Sequence, residues 1–324
     1  VRRIQWIDIA KAFGIIAVVI GHFAPKGTTL YESLYWWTMP LFFMIGGFFV
    51  KPLYLDELPE FWRKKALPLL KQYFGFGTLL ILISFVVEQH DIQFTLTYFL
   101  RLLYGGTLLN GYLSVFWFTT VYLASLFIFS LARAYLPLLG QASLMLTSFW
   151  IGTHYTNAEA VLGQSIPGNL DLVLLAAPYM FIGWCIYRLQ KYWLNSPVII
   201  GLTFAVLGFM IVMQQVTDLN FYLFMKSHHV THPLLSLMIP PMIVVGILSL
   251  SHGLEGTTFA YWLAKLGQHS LPIMYLHKAV GYTLDNFMPE NLVIWVSAGI
   301  LVPLLLVGLV TLSRRQLLRL TYDS

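Results

Sequence analysis

Residues 6–22, Trp6-Ile-Asp8-Ile-Ala-Lys11-Ala-Phe-Gly-Ile-Ile-Ala-Val-Val-Ile-Gly-His22, decide the fold class of this chain. The stretch is apolar and long enough for a membrane helix, yet it carries an acid, a base and a histidine. Ionisable groups inside a bilayer are costly and usually functional. Asp8 and Lys11 are three residues apart, which makes them neighbours on a helical surface. Lys11 and His22 have ten residues between them. At about 100° per residue that returns almost to the starting azimuth, roughly 16 Å further along the axis. One stripe of one helix therefore presents three polar groups at two depths. The alternative is a structural Asp8–Lys11 pair with an interfacial histidine.

Of the 324 residues, 58% are hydrophobic and 10% charged, where a soluble domain carries roughly 25% charged residues. An all-α polytopic membrane protein is expected, with residues 1–324 forming one transmembrane domain. No hydrophilic stretch is long enough for a separate soluble domain. The opening segment is not expected to be a cleavable signal, because its apolar run is too long and no small-x-small site follows it. The single cysteine, Cys185, excludes an intramolecular disulfide and a cysteine-based metal cluster.

About ten spans are expected, at 6–24, 34–50, 67–87, 114–132, 138–153, 170–187, 197–215, 233–250, 260–281 and 292–312, each able to cross a core of about 30 Å with some tilt. With a cytoplasmic N-terminus, all of the 19 Lys and Arg residues except Lys26, Arg101, Lys226 and Lys278 fall on the inner side. That satisfies the positive-inside rule with both termini cytoplasmic. Counting 94–113 as a further span would invert everything after it. It is therefore expected to be an outer-face amphipathic or re-entrant segment, broken at Gly105-Gly106 and covered by protein or a wet cavity.

The charge of +5 is read as topology and not as a nucleic-acid signal. There is no phosphate-binding glycine loop, no His-Glu-x-x-His and no Gly-x-Ser-x-Gly elbow. His228 and His232 could share a helix face, but only Asp218 stands near as a carboxylate, so no metal site is expected. The absence of a clear internal repeat weighs against an inverted-repeat transporter.

Trp6-Ile-Asp8-Ile-Ala-Lys11 followed by Ile16-Ala-Val-Val-Ile-Gly-His22 resembles the opening of the acyltransferase-3 family of membrane O-acyltransferases, whose first helix has a basic residue, ten intervening residues and a histidine. Met39-Pro40-Leu41-Phe42-Phe43-Met44-Ile45-Gly46-Gly47-Phe48 resembles the second-helix signature, with Gly46 where a serine usually stands. Phe116-Trp117-Phe118, Ala177-Pro178-Tyr179 through Gly183, and Gly267-Gln-His-Ser270-Leu271 through Tyr275-Leu-His277 resemble later signatures, in order. Lys65 to Tyr73 is a weaker match, with Gln72 in place of proline.

The resemblance implies transfer of an acyl group from cytoplasmic acetyl-CoA, or another short acyl-CoA, to a hydroxyl of a lipid-linked or exported glycan. It implies the bacterial cytoplasmic (inner) membrane, and partners limited to the acyl-CoA, the sugar or polysaccharide acceptor and membrane lipids. A sugar hydroxyl is a poor nucleophile until a base takes its proton, a task suited to neutral imidazole. The thioester oxygen needs donors as charge develops. His22, Lys11 and Asp8 are the expected catalytic group, with Asp8 orienting Lys11.

His277, Tyr275, Trp117, Arg101 and Ser270 are the expected acceptor-side residues. Lys11, Arg63, Lys65 and Lys71 are expected to meet the acyl donor. Each has a plainer reading: a hydrogen-bonded bundle histidine for His277, packing for Trp117, snorkelling for Arg101, an interhelical hydrogen bond for Ser270, and topology or lipid contacts for the inner basic residues. The alternative function is a glycan exporter or flippase, or an assembly subunit of an envelope polymer system.

Overall fold

The computed structural model describes residues 3–155, 165–217 and 219–322, with residues 314–322 as backbone only. Its principal helices are α1 (Gln5–Phe23), α2 (Thr29–Tyr35), α3 (Thr38–Gly47), α4 (Leu67–Val87), α5 (Ile92–Tyr104), α6 (Trp117–Tyr135), α7 (Leu138–His154), α8 (Val173–Arg188), α9 (Pro197–Val216), α10 (Pro233–Gly253), α11 (Thr258–Gln268), α12 (Ser270–Asp285) and α13 (Leu292–Tyr322). The strands among the described residues are a two-residue hairpin, Leu223–Phe224 against His229–Val230. The all-α polytopic architecture expected from composition is the one observed.

Among the described residues, seven helical stretches are long and apolar enough to cross a membrane, and they coincide with seven of the ten expected spans. The other three take different forms. Span 34–50 is the ten-residue α3, separated from α2 by a turn at Trp36–Trp37. That turn is fixed by the fully buried Trp36, whose indole N–H donates to the Phe221 carbonyl at 3.0 Å. Span 138–153 is α7, with 17 residues. Span 260–281 is broken at His269 into α11 and α12. Pro272, in the first turn of α12, has no N–H to bond back to Gln268, so the break falls where the sequence removes that bond.

The helix α1 is the axis of the bundle: 67% of its apolar window is buried, against 11% for α9, which faces outward. Small residues let the neighbours approach it and one another. A Cβ on Gly267 of α11 would collide with the Asp8 carbonyl of α1. Gly47 of α3 faces the Met180 carbonyl of α8, and Gly183 of α8 faces the Met44 carbonyl of α3. The last two form a reciprocal backbone contact with no room for a side chain on either helix.

The 94–113 segment is largely as expected. Asp91 caps α5 by accepting from the Phe94 N–H at 2.6 Å. The helix buries Tyr98 and Leu102 and exposes Leu96, Leu100 and Leu103. Leu102 packs onto Gly77 of α4. The helix stops at Gly105 and Gly106, both at positive φ (73° and 65°), where a side chain is disfavoured. Short 3₁₀ turns then lead into α6.

Candidate active site

The C-terminal turn of α1 brings His22 against His277 of α12, with ring centroids 5.0 Å apart. His277 is fully buried. Its Nδ1–H donates to the Ile273 carbonyl at 2.9 Å, one turn back on the same helix. That leaves Nε2 as the lone-pair nitrogen, buried and without a partner among the described residues. The Tyr35 hydroxyl of α2 lies 3.4 Å from His22 Nδ1. Phe23 and Trp295 close the back of the pair, edge to face at 5.6 Å.

His22 opens into a cavity of about 870 Å³ whose lining includes Lys26, Tyr31, Tyr35, Thr38, Trp117, Phe224, Lys226, Lys278, Glu290 and Trp295. Lys226 lies in the hairpin between α9 and α10. Its ammonium donates to the carbonyls of Leu109 at 2.8 Å and Ser114 at 2.9 Å. Burial, with the neighbouring Lys278 charge, pushes the Lys226 amine down to about 8.

At the other end of the same helices lies a second cavity, about 1010 Å³. It is lined in part by Lys11, Gly46, Lys51, Glu60, Lys64, Lys65, Thr119, Tyr122, Gln268 and Ser270. Asp8 is buried and accepts from the Lys11 ammonium at 3.2 Å, with Arg3 3.9 Å away. Lys64 pairs with Glu60. Phe118 lines both cavities. Its side chain is thus a wall that the two linings share.

The structure sorts the expected residues. His22 and His277 come together, and Trp117 lines the first cavity with His22. Lys11, Lys65 and Ser270 line the second cavity. Asp8 and His277 contact Lys11 and His22 without lining either cavity, and the other four expected residues are in neither lining. Tyr275 is buried between Phe76 and Phe116, with its hydroxyl 2.5 Å from the Thr119 hydroxyl, so it braces the wall. Arg101 donates to the Asn110 side chain at 3.3 Å and ties α5 to the following loop. Arg63 and Lys71 are exposed. The histidines at 228 and 232 share no helix face: His228 sits in a left-handed turn of the hairpin and His232 precedes α10. Asp218 lies outside the described residues.

Sequence reasoning missed Lys26, Lys226, Lys278 and Tyr35. A signal for the lysines was present, because with Arg101 they are the residues that break the charge asymmetry. The glycine at position 46 also has a local cause. A Cβ there would lie 2.6 Å from the Tyr122 ring and 2.9 Å from its hydroxyl, so Tyr122 occupies the space a larger residue would take.

A family model described as an acyltransferase domain matches residues 4–313. The chain belongs to this family, the acyltransferase-3 family. Neither a search of curated proteins nor one of solved structures returns a match.

Proposed function

We propose that this membrane acyltransferase moves an acyl group, with acetyl as the expected one, from acyl-CoA to a hydroxyl of a lipid-linked or exported glycan. Acyl-CoA enters the inner cavity from the cytoplasm and the glycan occupies the outer one. The membrane is the bacterial cytoplasmic membrane, with both termini on the cytoplasmic side. The observation that carries this reading is the back-to-back pair of cavities with Phe118 in both linings and a histidine pair beside the outer one.

The chemistry divides between the two sides. The acceptor hydroxyl oxygen attacks the thioester carbonyl carbon while imidazole takes its proton; the C–S bond breaks, and the thiolate leaves toward the inner cavity and is protonated there. His22 is the base that faces the acceptor. His277 is held in one tautomer by Ile273, and its bare Nε2 can receive or relay the proton. Lys11, oriented by Asp8, and Lys65 offer positive charge to the phosphates of the donor. Thr119, Ser270 and Gln268 are the polar neutral groups of the inner lining.

The test is thiol release from acetyl-CoA by the purified protein in lipid, with envelope glycolipid as acceptor, wild type against His22→Ala. Acceptor-dependent release that is lost in the variant supports the proposal. Full release by His22→Ala, or none by the wild type with acetyl-CoA and succinyl-CoA across a panel of acceptors, overturns it.

A further inference from the structure

We infer that the acceptor carries a negatively charged phosphate or carboxylate group, held in the outer cavity by Lys26, Lys226 and Lys278. The inference rests on reading that cavity as the acceptor site. Three ammonium groups converge on its lining, against one carboxylate, Glu290. None of the three makes an ion pair among the described residues. Lys26 is exposed, but Lys226 and Lys278 are half-buried, where a charge is ordinarily paired. Here the partners inside the protein are neutral: two backbone carbonyls for Lys226, and the Tyr282 ring 5.5 Å from the Lys278 ammonium.

The two carbonyls fix where Lys226 points without neutralising it. Burial, with a contribution from the Lys278 charge, already holds its amine low, and an anion in the cavity would relieve that like-charge repulsion. A neutral sugar would need only the aromatic faces that Tyr31, Tyr35, Trp117 and Phe224 provide. Lysines add nothing to such stacking. They add affinity for an anion next to a sugar ring.

The experiment uses full-length protein in lipid and envelope glycolipids separated by anion exchange into acidic and neutral fractions. Lysine labelling by an amine-reactive acetyl ester, read by mass spectrometry, is measured with each fraction, with exposed Lys71 as the control. The acidic fraction is expected to slow labelling of Lys226 and Lys278 and the neutral one is not. Equal protection by both, or none by either, overturns the proposal.

In parallel, Lys278→Gln is expected to raise KM for the acidic acceptor about tenfold with kcat little changed. Lys278 donates no hydrogen bond among the described residues, so this variant avoids the loss of the two carbonyl contacts that Lys226→Gln would bring. A KM for the acidic acceptor that is the same in wild type and variant overturns the anion site and leaves acyl transfer standing. Protection by the acidic fraction without any thiol release does the reverse. Mild acid cleavage of sugar–phosphate bonds and carbodiimide reduction of carboxylates, applied separately to the acidic fraction, show which anion is read.

Discussion

His22 and His277 come from opposite ends of the chain and hold their rings 5.0 Å apart with 40° between their planes. One is fully buried with its tautomer set by the Ile273 carbonyl, and the other faces a cavity. Two imidazoles so placed have unequal work. On the proposed reading the cavity-facing ring meets the acceptor, and the buried ring sets its orientation and proton balance.

His277→Gln is therefore expected to lower kcat by about 10²–10³-fold, the range of a lost acid–base group, while the KM for acyl-CoA stays within about twofold. Steady-state kinetics in lipid check this. A large rise in donor KM with kcat retained would assign His277 to the inner site instead.

Asp8 and Lys11 should act on the donor. Asp8→Asn removes the charge that holds Lys11 at 3.2 Å and is expected to raise acyl-CoA KM about tenfold, with the acceptor KM unaltered. Titration of both substrates distinguishes this from a folding defect, which would lower the active fraction for both alike.

Phe118 lines both cavities and is proposed as the barrier between them. Phe118→Ala is expected to join them and admit water to the thioester, raising acceptor-independent thiol release about tenfold relative to transfer. Measuring thiol release with and without acceptor gives the ratio. An unchanged ratio would mean that the partition lies elsewhere.

Gly183→Ala places a methyl against the Met44 carbonyl. Overpacking of this kind costs about 1–3 kcal/mol or more, so the variant is expected to unfold several degrees earlier in detergent. Gly201→Ala is the control, since a Cβ there meets nothing within 4 Å.

The amine of Lys226 sits at about 8, below its unfolded value of about 10.4. Between those values the unfolded chain binds the extra proton. The stability linked to this group is therefore fully present above the unfolded value and is lost as pH falls through about 8. Affinity for an anion runs the other way, because deprotonation removes the charge. Acceptor KM is expected to be flat at lower pH and to climb as pH passes about 8. Lys226→Arg, permanently charged, is expected to abolish the climb. The pH profile of KM for the two proteins checks it.

Much of this was legible in the sequence because membrane constraints are strong. Apolar runs and charge asymmetry located the seven long helices and the amphipathic 94–113 segment, and helical spacing put Lys11 and His22 at two depths of one helix. The break at His269 was hidden because Pro272 lies inside an otherwise continuous apolar run. The positions of Tyr275 and Arg101 outside both linings were not legible, because their partners, Thr119 and Asn110, come from elements that spacing cannot place. Lys226 stood out in the sequence by breaking the charge asymmetry, but its aim did not, because a short hairpin and two carbonyls distant in sequence set it.

The glycine contacts bear on how much the inner chamber can give. Gly47, Gly183 and Gly267 lock α3 to α8 and α11 to α1 through their backbones, and Ile45, Gly46 and Gly267 belong to the chamber's lining. Those walls have no side chains at the contact to repack. The opposite wall is the run from Lys51 to Leu69, which includes a π-helical turn at Trp62–Ala66 and is largely exposed. On the proposed reading, in which the acyl donor occupies this chamber, substitutions in that run and in the α6 residues Thr119, Tyr122 and Leu126 are the ones expected to retune acyl length without loosening the bundle.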